Sequence, residues 1–163
     1  MNGCASLRAV ATPSAGAALD VRPLSSSARV NIPGLTVAFD EAALAWRATR
    51  HRGVAWLPLH LGEVPDGSAH GPVEGVVLIR MEPGCGYPPH THVGVEDVLV
   101  LRGGYRDEHG THRTGDYVRY AAGSSHAPIA LGAPERAIDA TNPACVLFAI
   151  AREGIRATDE PAS

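Results

Sequence analysis

Lysine is absent from this 163-residue chain: all 14 basic residues are arginine, which excludes Schiff-base lysine chemistry. The arginine-only complement reads as a compositional bias of the source genome rather than as a function. There is no basic excess, since 17 acidic residues leave a net charge of -3, and nucleic-acid binding is not expected. No apolar run approaches the roughly 18 residues of a membrane span. Cysteine is scarce: Cys4, Cys85 and Cys145 are widely spaced, with no Cys-x-x-Cys pair, so neither a cysteine zinc finger nor a disulfide framework is expected. Met1–Asp20 lacks a continuous apolar core of signal-peptide length. Together these features point to a cytoplasmic protein with reduced thiols. What is present is 45% hydrophobic residues, with 18 glycines and 13 prolines, a turn-rich but foldable composition of about one domain.

Residues 1–35 show no sustained period and read as a flexible leader, to be followed by a folded domain over 36–153 and a frayed tail over 154–163. Glu41–Arg50 carries a short helical pattern, too short to be stable alone. From Arg52 the texture is that of strands punctuated by turns. Val54–His60 reads as a strand with Pro58 at an edge or bulge. Val73–Glu82 is clearer, with Val77, Ile79 and Met81 on one face and Leu78, Arg80 and Glu82 on the other. Val95–Leu101, a hairpin over Gly104–Arg113, Asp116–Tyr120, His126–Leu131 and Ala144–Arg152 follow. At least six strands with turns every ~8–12 residues indicate an all-β sandwich or barrel.

Chemistry concentrates in Gly84–Glu96. On extended backbone, His90 and His92 present two imidazoles to one side, and Gly94 permits a bend that returns Glu96 to the same place. A strand, a hairpin and a further strand can bring back His126. Three imidazoles and a carboxylate suit one divalent transition metal. Cys85 and Tyr87 precede the ligands and are candidates for the pocket lining, Tyr87 as a hydrogen-bond donor to substrate. Arg80 is a candidate for binding an anionic substrate, with a surface ion pair as the competing role. Asp97 should point away from Glu96. His109 and His112, near the hairpin tip, should be exposed, and His51, His60 and His70 have no partner spacing.

These residues carry a resemblance. Gly84, His90-x-His92, Glu96 and Gly103 match the spacing of the first cupin motif without a gap. Gly115, Gly123 and His126 match the second, with Ala121 in place of its proline and Ala130 in place of its asparagine. The segments Glu96–Gly103, Tyr105–Gly110, Gly115–Arg119, Gly123–Pro128 and Cys145–Phe148 resemble the ChrR-like cupins, over about Trp46–Glu153. The resemblance implies a double-stranded β-helix, or jelly-roll barrel, often paired into a homodimer, with His90, His92, Glu96 and His126 as metal ligands.

It also implies competing functions. One is a dioxygenase using Fe(II) to cleave C–C bonds in small dicarbonyl or hydroxyketone substrates, with Glu96 as a fourth ligand or as a catalytic base; manganese would serve the same ligand set. Another is a zinc-binding sensor domain of the ChrR type. In those anti-sigma factors a separate domain with a histidine and a Cys-x-x-Cys cluster holds the sigma factor. The residues before Trp46 hold only Cys4 and no histidine, so direct sigma-factor binding is not expected. A third is a non-redox cupin, an isomerase, lyase or decarboxylase.

Overall fold

The computed structural model describes residues 26–62 and 74–157; Cys4, His70, Val73 and most of the expected leader lie outside them. The strands are β1 (Ala28–Asn31), β2 (Arg47–Ala48), β3 (Val54–Leu61), β4 (Glu74–Met81), β5 (His90–His92), β6 (Glu96–Arg102), β7 (Gly104–Asp107), β8 (Gly110–Arg113), β9 (Asp116–Tyr120), β10 (Ser125–His126), β11 (Ile129–Ala130), β12 (Cys145–Arg152) and β13 (Ile155–Ala157). A seven-stranded sheet in the order β1-β9-β6-β12-β4-β3-β2 faces two three-stranded sheets, β10-β5-β13 and β11-β7-β8. All the strand pairs are antiparallel. This is the double-stranded β-helix of the cupins.

Strict alternation divides the large sheet into two chemically distinct faces. Inward go Val77, Ile79 and Met81 of β4, Leu147 and Ala149 of β12, Val98 and Val100 of β6, and Val118 and Tyr120 of β9; Tyr105 and Ala130 of the small sheets complete the core. Outward go the ion pairs. Asp97 accepts hydrogen bonds from Tyr117 Oη and Arg119 Nε, both at 2.6 Å, and from Arg152. Burial alone would raise the Asp97 carboxyl, but these donors outweigh it and hold the group below its ordinary value. Glu96 and Asp97, adjacent in sequence, thus serve opposite faces of one strand.

Several elements run differently from the sequence expectation. Glu41–Arg50 forms only a 3-10 turn over Glu41–Ala43, capped by Asp40, before β2 begins. Glu41 is instead a latch: its carboxylate takes Arg80 and Arg102, Arg102 lies over the Phe39 ring, and Trp46 Nε1 donates to the Glu41 carbonyl. Ala28–Asn31, expected in the leader, pairs with β9. His126–Leu131 splits in two, because Pro128 has no N–H to continue a ladder; β10 joins one small sheet and β11 the other. Ile155–Ala157, expected to fray, pairs with β5 as the outer strand of its sheet. Pro58 does sit at a bulge, where the β3–β4 register shifts before His60.

The link between β5 and β6 depends on Gly94, whose N–H donates to the Arg152 carbonyl at 3.0 Å. A Cβ here would lie 2.4 Å from that same oxygen. Gly94→Ala therefore forces the backbone apart where the two ligand-bearing strands join. It should cost about 2–3 kcal/mol and lower Tm by about 5–10 °C, measured by thermal unfolding of the metal-free protein. An unchanged Tm would show that the junction yields freely.

Candidate metal centre

β5 is the middle strand of its small sheet, with His90 opposite His126 of β10 and His92 opposite Ile155 of β13. The two-residue repeat of the strand turns both imidazoles inward. Glu96 enters from the first residue of β6 on the inner face of the large sheet. All four residues are buried, with exposures of 4% for His90, 1% for His92, 7% for Glu96 and 5% for His126. One potential ligand atom from each lies within 4.8 Å of every other.

The hydrogen bonds around the rings decide which nitrogens face the centre. His90 Nδ1 lies 2.9 Å from the Pro88 carbonyl oxygen, which can only accept. His126 Nδ1 lies 2.8 Å from Asp107 Oδ2. His92 Nδ1 lies 3.1 Å from Ser124 Oγ, and that hydroxyl already donates to the Ala121 carbonyl at 2.6 Å, so it accepts from the ring. Each Nδ1 therefore carries the hydrogen, and each Nε2 presents a lone pair to the interior.

The result is a cluster that repels itself. With both rings neutral, the Nε2 atoms of His90 and His126 are 3.0 Å apart with no proton between them. His92 Nε2 lies 3.0 Å from Glu96 Oε2, yet it is buried without a hydrogen-bond partner. A cation held by all four atoms resolves each conflict. Separations near 3 Å are those of neighbouring ligands on one ion at ~2.1 Å, and an N₃O donor set suits the divalent first-row metals. These residues fit a metal.

Asp107, which sequence reasoning missed, anchors the cluster from behind. Its side chain is fully buried. It accepts from His126 Nδ1, from Tyr120 Oη at 2.6 Å, from the His109 backbone N–H at 2.9 Å and from His112 Nε2 at 3.1 Å. Burial would raise its carboxyl, but the bonds from His112, His126 and Tyr120 win and keep it ionised far below the usual carboxylate range. Tyr105 Oη donates in turn to Tyr120 Oη at 2.6 Å, and burial pushes both phenols upward, so they remain donors. His112, expected to be exposed, is 1% exposed. It pairs with Tyr105 across the β7–β8 hairpin, so alternation carries it inward with Tyr105 and Asp107. That spacing was the available signal; a carboxylate near a hairpin tip reads more readily as a turn residue. His109 does stay exposed.

A cavity of about 460 Å³ opens onto the cluster. His90, Glu96 and His126 lie at its closed end, and the walls include Val54, Trp56, Val77, Ile79, Val98 and Leu147. Of the suggested pocket residues, Tyr87 lines this cavity. Cys85 and Arg80 are not among its lining residues. Cys85 packs beneath Gly53, where an added Cβ would meet its Sγ at 2.4 Å. Arg80 points from the opposite face of β4 and pairs with Glu41 and Glu82. Cys145 is buried in the core, where burial pushes its thiol up to about 12.

Comparison with known proteins agrees with this geometry. The family model for the ChrR cupin-like domain matches residues 36–138, and the chain belongs to that family. No protein of curated function matches it in sequence. Among solved structures, it is similar to the anti-sigma ChrR from Rhodobacter sphaeroides in complex with SigE, at 26% identity and TM-score 0.52, over 69% of this chain and 50% of that one. The chain thus spans half the length of that ChrR chain. An RmlC-like cupin from Ralstonia eutropha matches at 20% identity and TM-score 0.54, over 74% of this chain and 70% of its own. An acetylacetone dioxygenase from Acinetobacter johnsonii matches at 16% identity and TM-score 0.50, over 80% and 77% respectively. The last two share the fold alone. Among the described residues no helix is long and apolar enough to cross a membrane.

Two expectations follow. Asp107→Asn removes the charge that fixes the His126 tautomer, and should weaken metal binding about 10–100-fold in competition with a chromogenic chelator while the fold persists by circular dichroism. Unchanged affinity would remove Asp107 from the account. The second concerns pH. Burial is the largest influence on His90 and lowers its imidazole to about 4, with His126 adding to it and the Pro88 carbonyl opposing. The unfolded chain therefore binds this proton first as pH falls below about 6.5. The metal-free protein should lose stability between about pH 6.5 and 4, by on the order of 3 kcal/mol from this residue. Urea unfolding across that range should show a shallower pH slope in His90→Asn.

Proposed function

We propose that this member of the ChrR cupin-like family is a non-haem Fe(II) dioxygenase that cleaves a C–C bond in a small dicarbonyl or hydroxyketone substrate. The observation that carries this reading is the cavity. Three of the four ligand side chains form its closed end, and its volume of about 460 Å³ lies in the range of small-molecule sites. A purely structural ion would need no such opening. Held by His90, His92, Glu96 and His126, an octahedral Fe(II) would keep about two open positions, for substrate and dioxygen. Manganese fits the same donors, and zinc would bind without redox activity.

The chain's own residues supply the rest. The apolar walls exclude water and hold the carbon body of the substrate. The Glu96 carboxylate oxygen that is not given to the ion accepts the acidic proton from the carbon beside the carbonyls. The Tyr87 hydroxyl makes no hydrogen bond among the described residues and is free to donate to a substrate oxygen. Burial, with the Glu96 charge assisting and Arg50 opposing, raises the phenol above its ordinary value and keeps the proton in place. The acetylacetone dioxygenase that shares the fold supports the reading as an analogy of architecture. The proposal carries with it one metal per chain, a homodimer and a cytoplasmic setting.

The 26% identity to ChrR favours a second reading, a ligand-sensing regulatory domain. Recovery of a sigma factor with the full chain would support it over the first.

The direct test is oxygen uptake by protein loaded anaerobically with Fe(II), across a panel of β-diketones and hydroxyketones. The expected result is uptake that depends on substrate and matches its consumption one for one. Glu96→Gln should lower kcat by about 100-fold or more. No uptake with any member of the panel contradicts the dioxygenase.

A further inference from the structure

The cavity changes in chemistry from floor to mouth. At the floor His90, Glu96 and His126 are buried, and around them Val54, Met81, Val98 and Leu147 are buried as well. Arg50, Glu153, Ile155 and Arg156 line the same cavity but are exposed, which marks its mouth. Arg50 stands on the turn before β3 and Arg156 on β13.

These two arginines differ from those that brace the fold. Arg29, Arg80, Arg102, Arg119 and Arg152 are all engaged by carboxylates, of Asp116, Glu41, Glu82 or Asp97. Arg50 and Arg156 have no carboxylate partner among the described residues. Glu153, the one acid at the mouth among the described residues, forms an ion pair with neither. Arg50 is nonetheless held against the wall: its Nε lies 3.4 Å from His51 Nε2, the His51 ring meets Tyr87 edge-on at 5.2 Å, and Tyr87 meets His90 edge-on at 5.4 Å. A line of rings therefore runs from a candidate ligand to a guanidinium. Arg50, Tyr87 and Glu96 all line the same cavity.

We propose that the substrate carries a carboxylate at the end remote from its metal-binding oxygens, and that Arg50 and Arg156 bind that carboxylate at the mouth. The proposal rests on the dioxygenase reading for the chemistry of the inner end. The floor, with its metal, is taken by the chelating oxygens, whereas the mouth offers two guanidiniums with no carboxylate partner among the described residues, whose planar forks match a carboxylate. The apolar wall between them takes a short carbon chain. The substrate class is accordingly an ω-carboxylated β-diketone or hydroxyketone rather than a neutral diketone.

Binding tests this without turnover. Zn(II)-loaded full-length protein is titrated with a β-diketone bearing a terminal carboxylate and, separately, with its methyl ester. Calorimetry or the fluorescence of Trp56, which lines the cavity, reads the affinity. The acid should bind about tenfold more tightly than the ester at low salt, with the difference shrinking as salt rises. In the double variant Arg50→Gln, Arg156→Gln the advantage of the acid should vanish, while the affinity for the ester and for zinc stays within about twofold of wild type. Equal affinities in the wild type, a preference that survives in the double variant, or binding of neither compound would overturn the proposal. Oxygen uptake by the Fe(II) form separates the two readings: a preference for the acid without uptake sinks the dioxygenase and leaves the anion site standing.

Discussion

Two imidazole nitrogens that both present lone pairs do not stay 3.0 Å apart of their own accord, and in a dry interior nothing screens the conflict. The protein holds His90 and His126 there by fixing each ring from its far side, through the Pro88 carbonyl and the Asp107 carboxylate. His92 is treated the same way by Ser124. The centre is thus preorganised for a cation through the acceptors behind it, and these determine ring tautomer and aim.

The rest of the fold maintains this arrangement. β5, a strand of three residues, could not hold two ligands alone; it is flanked by β10 and β13, and the loop ahead of β10 bonds back to it through Gly123 N–H to the His92 carbonyl and His92 N–H to the Ser124 carbonyl. The large sheet supplies Glu96 and the apolar walls on one face. On the other it fastens its strands with the Asp97 and Glu41 ion pairs, well away from the metal ligands. Arg50 and Arg156, with no carboxylate partner among the described residues, stand at the mouth of the cavity.

Much of this was legible in the sequence, for a physical reason. Alternation along β4, β6 and β12 writes the inner face directly into residue order, and the bulge at Pro58 follows from a missing N–H. His90, His92, Glu96 and His126 could be grouped because strand geometry and a familiar spacing pointed the same way. Elements whose identity depends on a distant partner were not legible. β1 and β13 are short, and each becomes a strand only against β9 or β5. His112 looked like a hairpin-tip residue and Asp107 drew no notice, because nothing local says that the hairpin folds over the core. Arg80 carried the charge expected of a substrate anchor, but one step of alternation placed it on the outer face with Glu41; of the cavity arginines, Arg50 closed a segment that read as a short helix and Arg156 lay in the expected tail.

The central claim is that these four side chains hold one divalent metal. The most direct measurement is metal content by mass spectrometry of the full chain, purified anaerobically without added metal, beside His90→Ala and His126→Ala. The account predicts a transition metal near one per chain in the wild type and its loss in both variants. A wild type that carries no metal, or variants that keep it, would contradict the account at its foundation.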